Sequence, residues 1–454
     1  MSTIAAISTA QGVGGIGVVR ISGPESIKIA DKLFVPFIGD AKLESLKGYT
    51  AKYGKVSDSE EFIDEAIALI FRAPHSYTGE DVVELSCHGG LYLTRRLLRA
   101  VLDAGASLAE AGEFTKRAFL NGKMNLAQAE AVMDLISAKN QQANQLAFSA
   151  KEGRISKKTD EIKTELIDIV ANLSVWADYP EEDIPQVDEN TLKISLENIE
   201  SKLTDMIKNY DVCKAIKEGV KTAIIGKPNV GKSTLMNLLA GQQKSIVTDI
   251  PGTTRDVIEE TVMLGDIPLL LVDTAGIRET SDVIEKIGVE KAKEHINASD
   301  VVLLIIDASA PLGTQDTELL QLVPKNKTIV LLNKIDLGKK VDLKEVSTFL
   351  KNIVELSAAN GTGIEKLKEL LYDMIGLTNL DPSAAVVSSE RQLDLLKKVL
   401  NVIRHAEKEL QAGMTLDALT VLLQEAVQFF LEFTGERASE AVIDRVFSKF
   451  CVGK

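Results

Sequence analysis

Three cysteines in 454 residues, Cys87, Cys213 and Cys451, lie too far apart for a C-x-x-C pair, and the four histidines show no zinc spacing. A disulfide framework and a zinc site are therefore excluded as organising features. Long apolar runs are missing too. The longest strongly apolar stretch, Val301 to Ile306, is closed by Asp300 and Asp307 and falls far short of the roughly 20 residues a membrane helix needs. The N-terminus lacks the basic-then-apolar order of a signal peptide, and Arg20 interrupts the apolar region after the first glycines, so a cytoplasmic protein without a membrane partner is expected. Basic charge is also in deficit: 52 Lys and Arg against 66 Asp and Glu give a net charge of −14. That balance argues against a protein whose main task is to grip a phosphate backbone. No solenoid-type repeat is present.

What is present is an ordinary globular composition, 45% hydrophobic and 26% charged, in a chain too long for one core. Residues 1–118 mix strand-like runs (Gly17 to Ile21, Ile63 to Phe71, Val82 to Ser86) with helical ones (Glu25 to Leu33, Leu91 to Leu102) and read as an α/β domain. The adjacent Cys87-His88 pair reads as a strand end running into a Gly89-Gly90 turn rather than a metal or catalytic pair. Residues 119–216 read as helical: one or two long helices from Asn125 to about Trp176, an acidic proline-bounded break from Tyr179 to Pro185, then a helix from about Asn190 to Cys213. Residues 217–376 alternate strands, at 220, 257, 267, 301, 328 and 353, with helices, which predicts a doubly wound sheet. Residues 377–454 are helical again from about Ser388 to Phe450. Helical flanks around an α/β segment predict one split helical domain carrying an insertion.

The insertion holds the chemistry. Gly226-Lys227-Pro228-Asn229-Val230-Gly231-Lys232-Ser233 is a complete G-x-x-x-x-G-K-S phosphate loop, with an apolar strand before it and a helical run from Ser233, through Thr234, to Ala240 after it. In such a loop the backbone N–H groups and the helix N-terminus converge on phosphates. Lys232 would sit between the outer phosphates and Ser233 would hold Mg²⁺. Thr248-Asp249-Ile250-Pro251-Gly252-Thr253-Thr254-Arg255-Asp256 has the hydroxyl-rich character of a switch loop, with Thr254 the second Mg²⁺ contact. Asp273-Thr274-Ala275-Gly276 ends another strand, where Mg²⁺-holding acids sit. Asn333-Lys334-Ile335-Asp336 supplies a carboxylate that can accept both the N1–H and 2-amino protons of guanine, a pair adenine does not offer. Ser357-Ala358-Ala359 is the expected last base-side loop. Together these motifs predict a Ras-like site for GTP. Ile277 follows Gly276 where Ras-like proteins carry a water-orienting Gln, so hydrolysis must use another group; Glu279, Asp282 and Glu285 are within reach.

The phosphate loop, Pro-Gly-Thr-Thr-Arg-Asp and Asp-Thr-Ala-Gly resemble GTPases related to translation factors, among them the Era and Der ribosome-assembly proteins. Gly14 to Gly23, Ser76-Tyr77-Thr78-Gly79-Glu80-Asp81, Phe114 to Lys123 and the terminal Cys451-Val452-Gly453-Lys454 make the whole chain resemble the MnmE (TrmE) family of bacterial tRNA-modifying GTPases.

The resemblance implies an N-terminal domain that binds a tetrahydrofolate derivative, in the 5-formyl or methylene form, and mediates homodimerisation. It also implies an FAD-dependent partner, MnmG, in a heterotetramer or larger complex. With it the family adds a carboxymethylaminomethyl-type group to C5 of the wobble uridine of certain tRNAs. Carried over by position, Arg20, Glu80, Lys123 and Lys454 would contact the folate. Asn229, Thr248, Ile250 and Thr253 would coordinate K⁺, whose charge replaces an arginine finger when two G domains meet. Glu285 would orient the attacking water, and Cys451 would be a thiol near the target uridine, or simply a small apolar residue. The acidic composition fits if MnmG supplies much of the RNA contact, with Arg95, Arg96 and Arg99 adding a local basic patch. The alternative is a regulatory ribosome-assembly GTPase of the Era or Der type, which would need a basic appendage that these flanks lack. Gly12 to Gly17 also fits G-x-G-x-x-G, but the β-branched run after it predicts a strand, not the helix a dinucleotide site requires.

Overall fold

The computed structural model describes residues 2–40, 42–58, 61–178, 188–242, 260–272, 287–381 and 385–453. The chain divides into two compact units. One comprises residues 1–133, 150–200 and 394–454, the other residues 134–149 and 201–393.

The first unit is built on a seven-stranded sheet of β1 (Ile4–Ile7), β2 (Ile16–Ser22), β3 (Phe34–Pro36), β4 (Thr50–Ser57), β5 (Phe62–Phe71), β6 (Val82–His88) and β7 (Ser107–Leu108), in the order β3-β4-β5-β6-β2-β1-β7. All pairings are antiparallel except β1 with β7. Period-2 alternation gives each strand two faces. Val19 and Ile21 of β2 join Ile27, Ile29, Ala30, Leu97 and Val101 of the helices Ser26–Leu33 and Leu91–Asp103 in one core. On the opposite face Ile4 and Ala6 of β1 pack with Phe114, from the helix Glu113–Leu120, and with Tyr77. Arg20 shares that second face by register, two residues from Ser22.

In the same unit the helices Arg154–Asp178 and Leu416–Thr434 pack together, burying Ile155, Ile162, Leu166 and Leu173 on one and Leu419, Leu423, Phe430 and Phe433 on the other. The helix Glu440–Phe447 brings Phe447 onto Leu126, Ala129 and Val132. Helix boundaries differ from the sequence reading. Three helices, Leu126–Ser137, Gln141–Lys151 and Arg154–Asp178, stand where one or two were expected, and Glu189–Lys208 and Tyr210–Glu218 replace a single helix. The breaks have local causes: Asn140 Oδ1 accepts the N–H of Ala143 at 2.6 Å, and Gly153 adopts φ +80°. The expected break at 179–185 lies outside the described residues.

The second unit holds β8 (Val220–Ile225), β9 (Glu260–Leu264), β10 (Ile267–Leu271), β11 (Val301–Asp307), β12 (Thr328–Asn333) and β13 (Ile353–Glu355), in the order β13-β12-β11-β8-β10-β9, parallel except for β9. Both faces are covered, which is why β11 and β12 read as unbroken apolar runs. Leu303 and Ile305 face Leu235, Leu239, Ile364 and Leu367 of the helices Lys232–Gln242 and Ile364–Met374. Val302, Leu304 and Ile306 face Ile296 and Leu320 of the helices Ile287–Ala298 and Thr314–Leu322. The chain leaves β8 toward β10 on one side and β11 lies on the other, so the crevice where such sheets bind ligands opens at the carboxyl end of β8. Of the sequence-predicted strands, that at 257 has its first residues outside the described ones.

Leu304 is fully buried in the centre of this sheet. Leu304→Ala is expected to cost about 2–5 kcal/mol, read as a lower urea midpoint for the full chain. Lys351→Ala, at an exposed position, should stay within about 0.5 kcal/mol.

Candidate functional site

The phosphate loop begins where β8 stops. Gly226, at φ +157°, abuts the Ile305 carbonyl so closely that a Cβ would collide with it. Gly231, at φ +101°, leaves the space that the Asn333 amide occupies. Asn229 is in the left-handed region at φ +61°, which asparagine tolerates better than most residues, and its side chain is exposed beside Val230. Lys232 opens the next helix, and its ammonium donates to the carbonyls of Gly226 at 2.6 Å and Lys227 at 2.8 Å. Burial holds that ammonium below the usual lysine range. Ser233 and Thr234 follow, both exposed on the first turn.

The base side closes on the same point. Asn333, the last residue of β12, donates from Nδ2 to the Val230 carbonyl at 2.8 Å and accepts the Ala358 N–H on Oδ1 at 2.9 Å. Lys334, at φ +65°, pairs with Asp307 at 2.7 Å. Burial alone would raise the Asp307 carboxyl, but bonds from Lys334 and Ser309 outweigh it and hold it below the usual range. Ser357 donates to Asp336 Oδ1 at 2.6 Å, and both Asp336 and Ala359 are exposed. The phosphate loop, Asn333-Lys334-Ile335-Asp336 and Ser357-Ala358-Ala359 are therefore gathered at one end of one sheet. Thr248, Asp249, Ile250, Pro251, Gly252, Thr253, Thr254, Asp273, Thr274, Ala275, Gly276 and Glu285 lie outside the described residues.

The N-terminal candidates gather around the loop Ser76–Glu80. Arg20 bonds Glu84, its cross-strand partner on β6, at 2.8 Å, and its guanidinium lies over the rings of Tyr77 and Phe114 at 5.6 and 5.5 Å. Its Nη1 also reaches the Gly453 carbonyl at 3.5 Å. Glu80 accepts from Ser22 at 2.7 Å and from Arg117 on both oxygens at 3.2 Å, so its carboxylate is already engaged within the protein. Lys123 donates to the Pro74 carbonyl at 3.0 Å, and Asn121 to the Thr78 carbonyl at 2.7 Å, tying the two loops together. Lys454 lies outside the described residues, but the tail before it is anchored: Val452 bridges Ala111, and Ser8 donates to the Gly453 carbonyl at 3.2 Å. Gly453 packs so tightly on Ile7 that a Cβ would collide with its carbonyl.

Sequence reasoning missed Arg117, Tyr77, Ser22 and Glu84. Arg117 is 4% exposed and holds Glu80 and Glu113 together, at 3.2 and 2.8 Å. Its only signal was its place in the quoted Phe114 to Lys123 segment; nothing in the charge pattern said that it was buried.

The thiols divide clearly. Burial pushes the Cys87 thiol up to about 11, with Asp64 adding to the shift, and pushes Cys213 up to about 12, so neither is a ready nucleophile. Cys451 is exposed, and its carbonyl accepts the Gly112 N–H at 3.4 Å. His88 ends β6 as expected, and its Nδ1 meets Asp64 at 2.9 Å. Arg96 is committed to Asp58 and Glu61, and Arg99 to Asp103, which dilutes the local basic patch. Gly12 to Gly17 runs into β2, in keeping with the strand expected there. Among the described residues no group of three or more His, Cys, Asp or Glu side chains could hold a metal, and no helix is long and apolar enough to cross a membrane.

Comparison with known proteins gives two family matches: "GTP-binding protein TrmE N-terminus" over residues 3–123 and "MnmE helical domain" over residues 126–451. The tRNA modification GTPase MnmE of Clostridioides difficile is 42% identical over 455 residues, covering 100% of this chain and 99% of the relative. That of Acetivibrio thermocellus is 40% identical over 457 residues with the same coverage. Among solved structures, the G domain of the T. maritima FeoB iron transporter is 30% identical over 34% of this chain and 98% of its own, with a TM-score of 0.25.

The Asp64–His88 pair has a pH signature. The hydrogen bond to Asp64 raises the exposed His88 imidazole above its ordinary value. Burial alone would raise the Asp64 carboxyl, but bonds from the His88 and Glu65 N–H groups and the His88 ring outweigh it and hold it low. The histidine's contribution is complete below about pH 6.5 and is lost as pH rises through its folded value. The carboxylate's contribution is present above about pH 3.9 and is lost on acidification through its own lowered value. An NMR titration should place the His88 midpoint above 6.5, moving down in Asp64→Asn; an unmoved midpoint would contradict the pairing.

Proposed function

The chain belongs to the MnmE family of tRNA modification GTPases, and on that premise we propose that it hydrolyses GTP to drive modification of tRNA at C5 of the wobble uridine, together with the FAD-dependent MnmG. The observation that carries this reading is identity of about two residues in five across the whole length of curated relatives, with the phosphate and base loops meeting at one sheet edge. In this reading residues 1–118 bind folate and dimerise, 217–376 are the G domain, and 119–216 with 377–454 form the split helical domain.

For GTP, Lys232 is the telling group. Its ammonium rests on two loop carbonyls at the start of the helix, where phosphate oxygens would meet it. The N–H groups of the helix start suit the same phosphates. Ser233 and Thr254 would hold Mg²⁺, and Asp336, steadied by Ser357, would read guanine. Asn229, Thr248, Ile250 and Thr253 would hold K⁺; the exposed, left-handed Asn229 offers an amide oxygen suited to that role. Such an ion supplies positive charge at the phosphates, and Glu285 would position water where Ile277 cannot.

For the folate derivative, Arg20, Lys123 and Lys454 supply cations that suit its carboxylates, and the partly exposed Tyr77 supplies a flat ring beside Arg20. Glu80 would then act chiefly by holding Arg117. The folate would bring a one-carbon unit, and Cys451, exposed on the tail that packs beside Arg20, would serve the uridine. A homodimer joined through the N-terminal domain, in a larger complex with MnmG, fits an acidic chain that leaves much of the tRNA contact to its partner. The Era or Der alternative loses ground because the match over residues 3–123 is to a TrmE N-terminus.

Mass spectrometry of tRNA nucleosides from cells lacking the gene should show loss of the C5-modified wobble uridine; an unchanged profile would refute the function. Hydrolysis by the full chain should be markedly faster in K⁺ than in Na⁺ at matched ionic strength, and equal rates would remove the potassium site.

A further inference from the structure

Lys227 is the first variable residue of the phosphate loop, and its ammonium has an anion of the protein itself as its partner. It pairs with Asp316, on the first turn of the helix Thr314–Leu322. Asp316 is 2% exposed. Its Oδ2 also accepts the Gly313 N–H at 2.9 Å, and among the described residues its Oδ1 has no hydrogen-bond partner. A turn-closing role for Asp316 would be met by the Gly313 bond alone. It would not account for a buried carboxylate placed beside a loop lysine, because a buried charge persists only with a cation next to it.

The backbone of Lys227 carries the second half of the argument. Its carbonyl accepts the Lys232 ammonium at 2.8 Å, so one residue is tied by its side chain to Asp316 and by its main chain to the lysine that meets phosphate. Gly226, immediately before it, is wedged against the Ile305 carbonyl. The start of the loop is thus held at two points, one steric and one ionic. The base side is tied to the same stretch of chain, since Lys334 pairs with Asp307 and Ser309 donates to that carboxylate through both its N–H, at 2.9 Å, and its hydroxyl, at 2.6 Å. Residues 307–316 therefore receive one lysine from the phosphate loop and one from the base-reading motif.

We propose that Lys227 and Asp316 form a positioning pair that presets the phosphate loop and so sets affinity for guanine nucleotides without touching them. The proposal rests on Gly226–Ser233 being the GTP site. A preset loop serves the phosphates common to GDP and GTP, so the pair acts on both nucleotides by the same factor. Its partners are also specific: an arginine at 227 can still reach Asp316 through its guanidinium fork, whereas an apolar side chain of similar length cannot.

The test is fluorescence titration of the full chain with N-methylanthraniloyl GDP and with a non-hydrolysable GTP analogue carrying the same dye. Lys227→Met and Asp316→Asn should each weaken both nucleotides by about tenfold at an unchanged GDP-to-GTP ratio. Lys227→Arg should retain most of the affinity, and the double variant Lys227→Met/Asp316→Asn should be no weaker than the weaker single one. KM for GTP should rise with Kd, while kcat changes by a smaller factor. Losses that add in the double variant, or a Lys227→Met variant that binds like the parent, would overturn the pair. If Asp316→Asn fails to fold by circular dichroism, the Met and Arg variants at the partly exposed Lys227 still decide the matter, since only a pairing role separates them. A parent chain that binds neither nucleotide would overturn the GTP reading and this inference with it; a parent that binds while Lys227→Met is unaffected would overturn the inference alone.

Discussion

One buried side-chain amide holds the nucleotide site together. Asn333 is 2% exposed, and it spends both ends of its amide on backbone: Nδ2 on the Val230 carbonyl and Oδ1 on the Ala358 N–H. Its own carbonyl accepts the Ala308 N–H at 2.8 Å. Three loops that leave three different strands are thereby fastened to the end of β12. Removing the amide would leave a buried carbonyl and a buried N–H without partners, at about 1–3 kcal/mol each. Gly231 is part of the same constraint, because only the absence of a Cβ lets the phosphate loop come this close.

The N-terminal unit solves a similar problem with charge. Arg117 is buried between Glu80 and Glu113 and also donates to the Ser2 carbonyl at 2.6 Å, linking the chain start, the Ser76–Glu80 loop and the helix Glu113–Leu120. Truncating such a residue would strand two carboxylates, the costly way to break a buried ion cluster. Around that anchor the far end of the chain returns to the first strand, with Gly453 lying against Ile7 and Arg20 reaching its carbonyl. Residues more than four hundred positions apart come to line one surface.

Much of the architecture was legible because burial writes itself into short stretches. Val301 to Ile306 is unbroken and apolar because β11 is covered on both faces, and the motif ends of β8 and β12 mark carboxyl edges. The helices between Leu126 and Asp178 were legible as helix but not as three. Alanine and glutamine suit a helix interior wherever it runs, and the break at Asn140 is stabilised by a bond from its Nδ2 to the Ile216 carbonyl at 3.0 Å, distant in sequence. Of the site, the glycines, Lys232, Asn333 and Asp336 were legible because backbone geometry and base chemistry allow few substitutes. Arg117, Glu84 and Asp316 were not, since a charged residue on a helix or strand reads as solvated until its partner is placed.

Sequence by itself therefore determined the order of elements, the nucleotide motifs and the family, all of which rest on contacts within a few residues or on chemistry that tolerates little change. The tertiary structure alone decided where the charges go. It paired Lys227 with Asp316, engaged Glu80 with Arg117, and set Arg20 on Tyr77 and Phe114. The reason is energetic: a charge settles with whichever opposite charge or ring shares its low-dielectric surroundings, and those surroundings exist only once the sheets are closed.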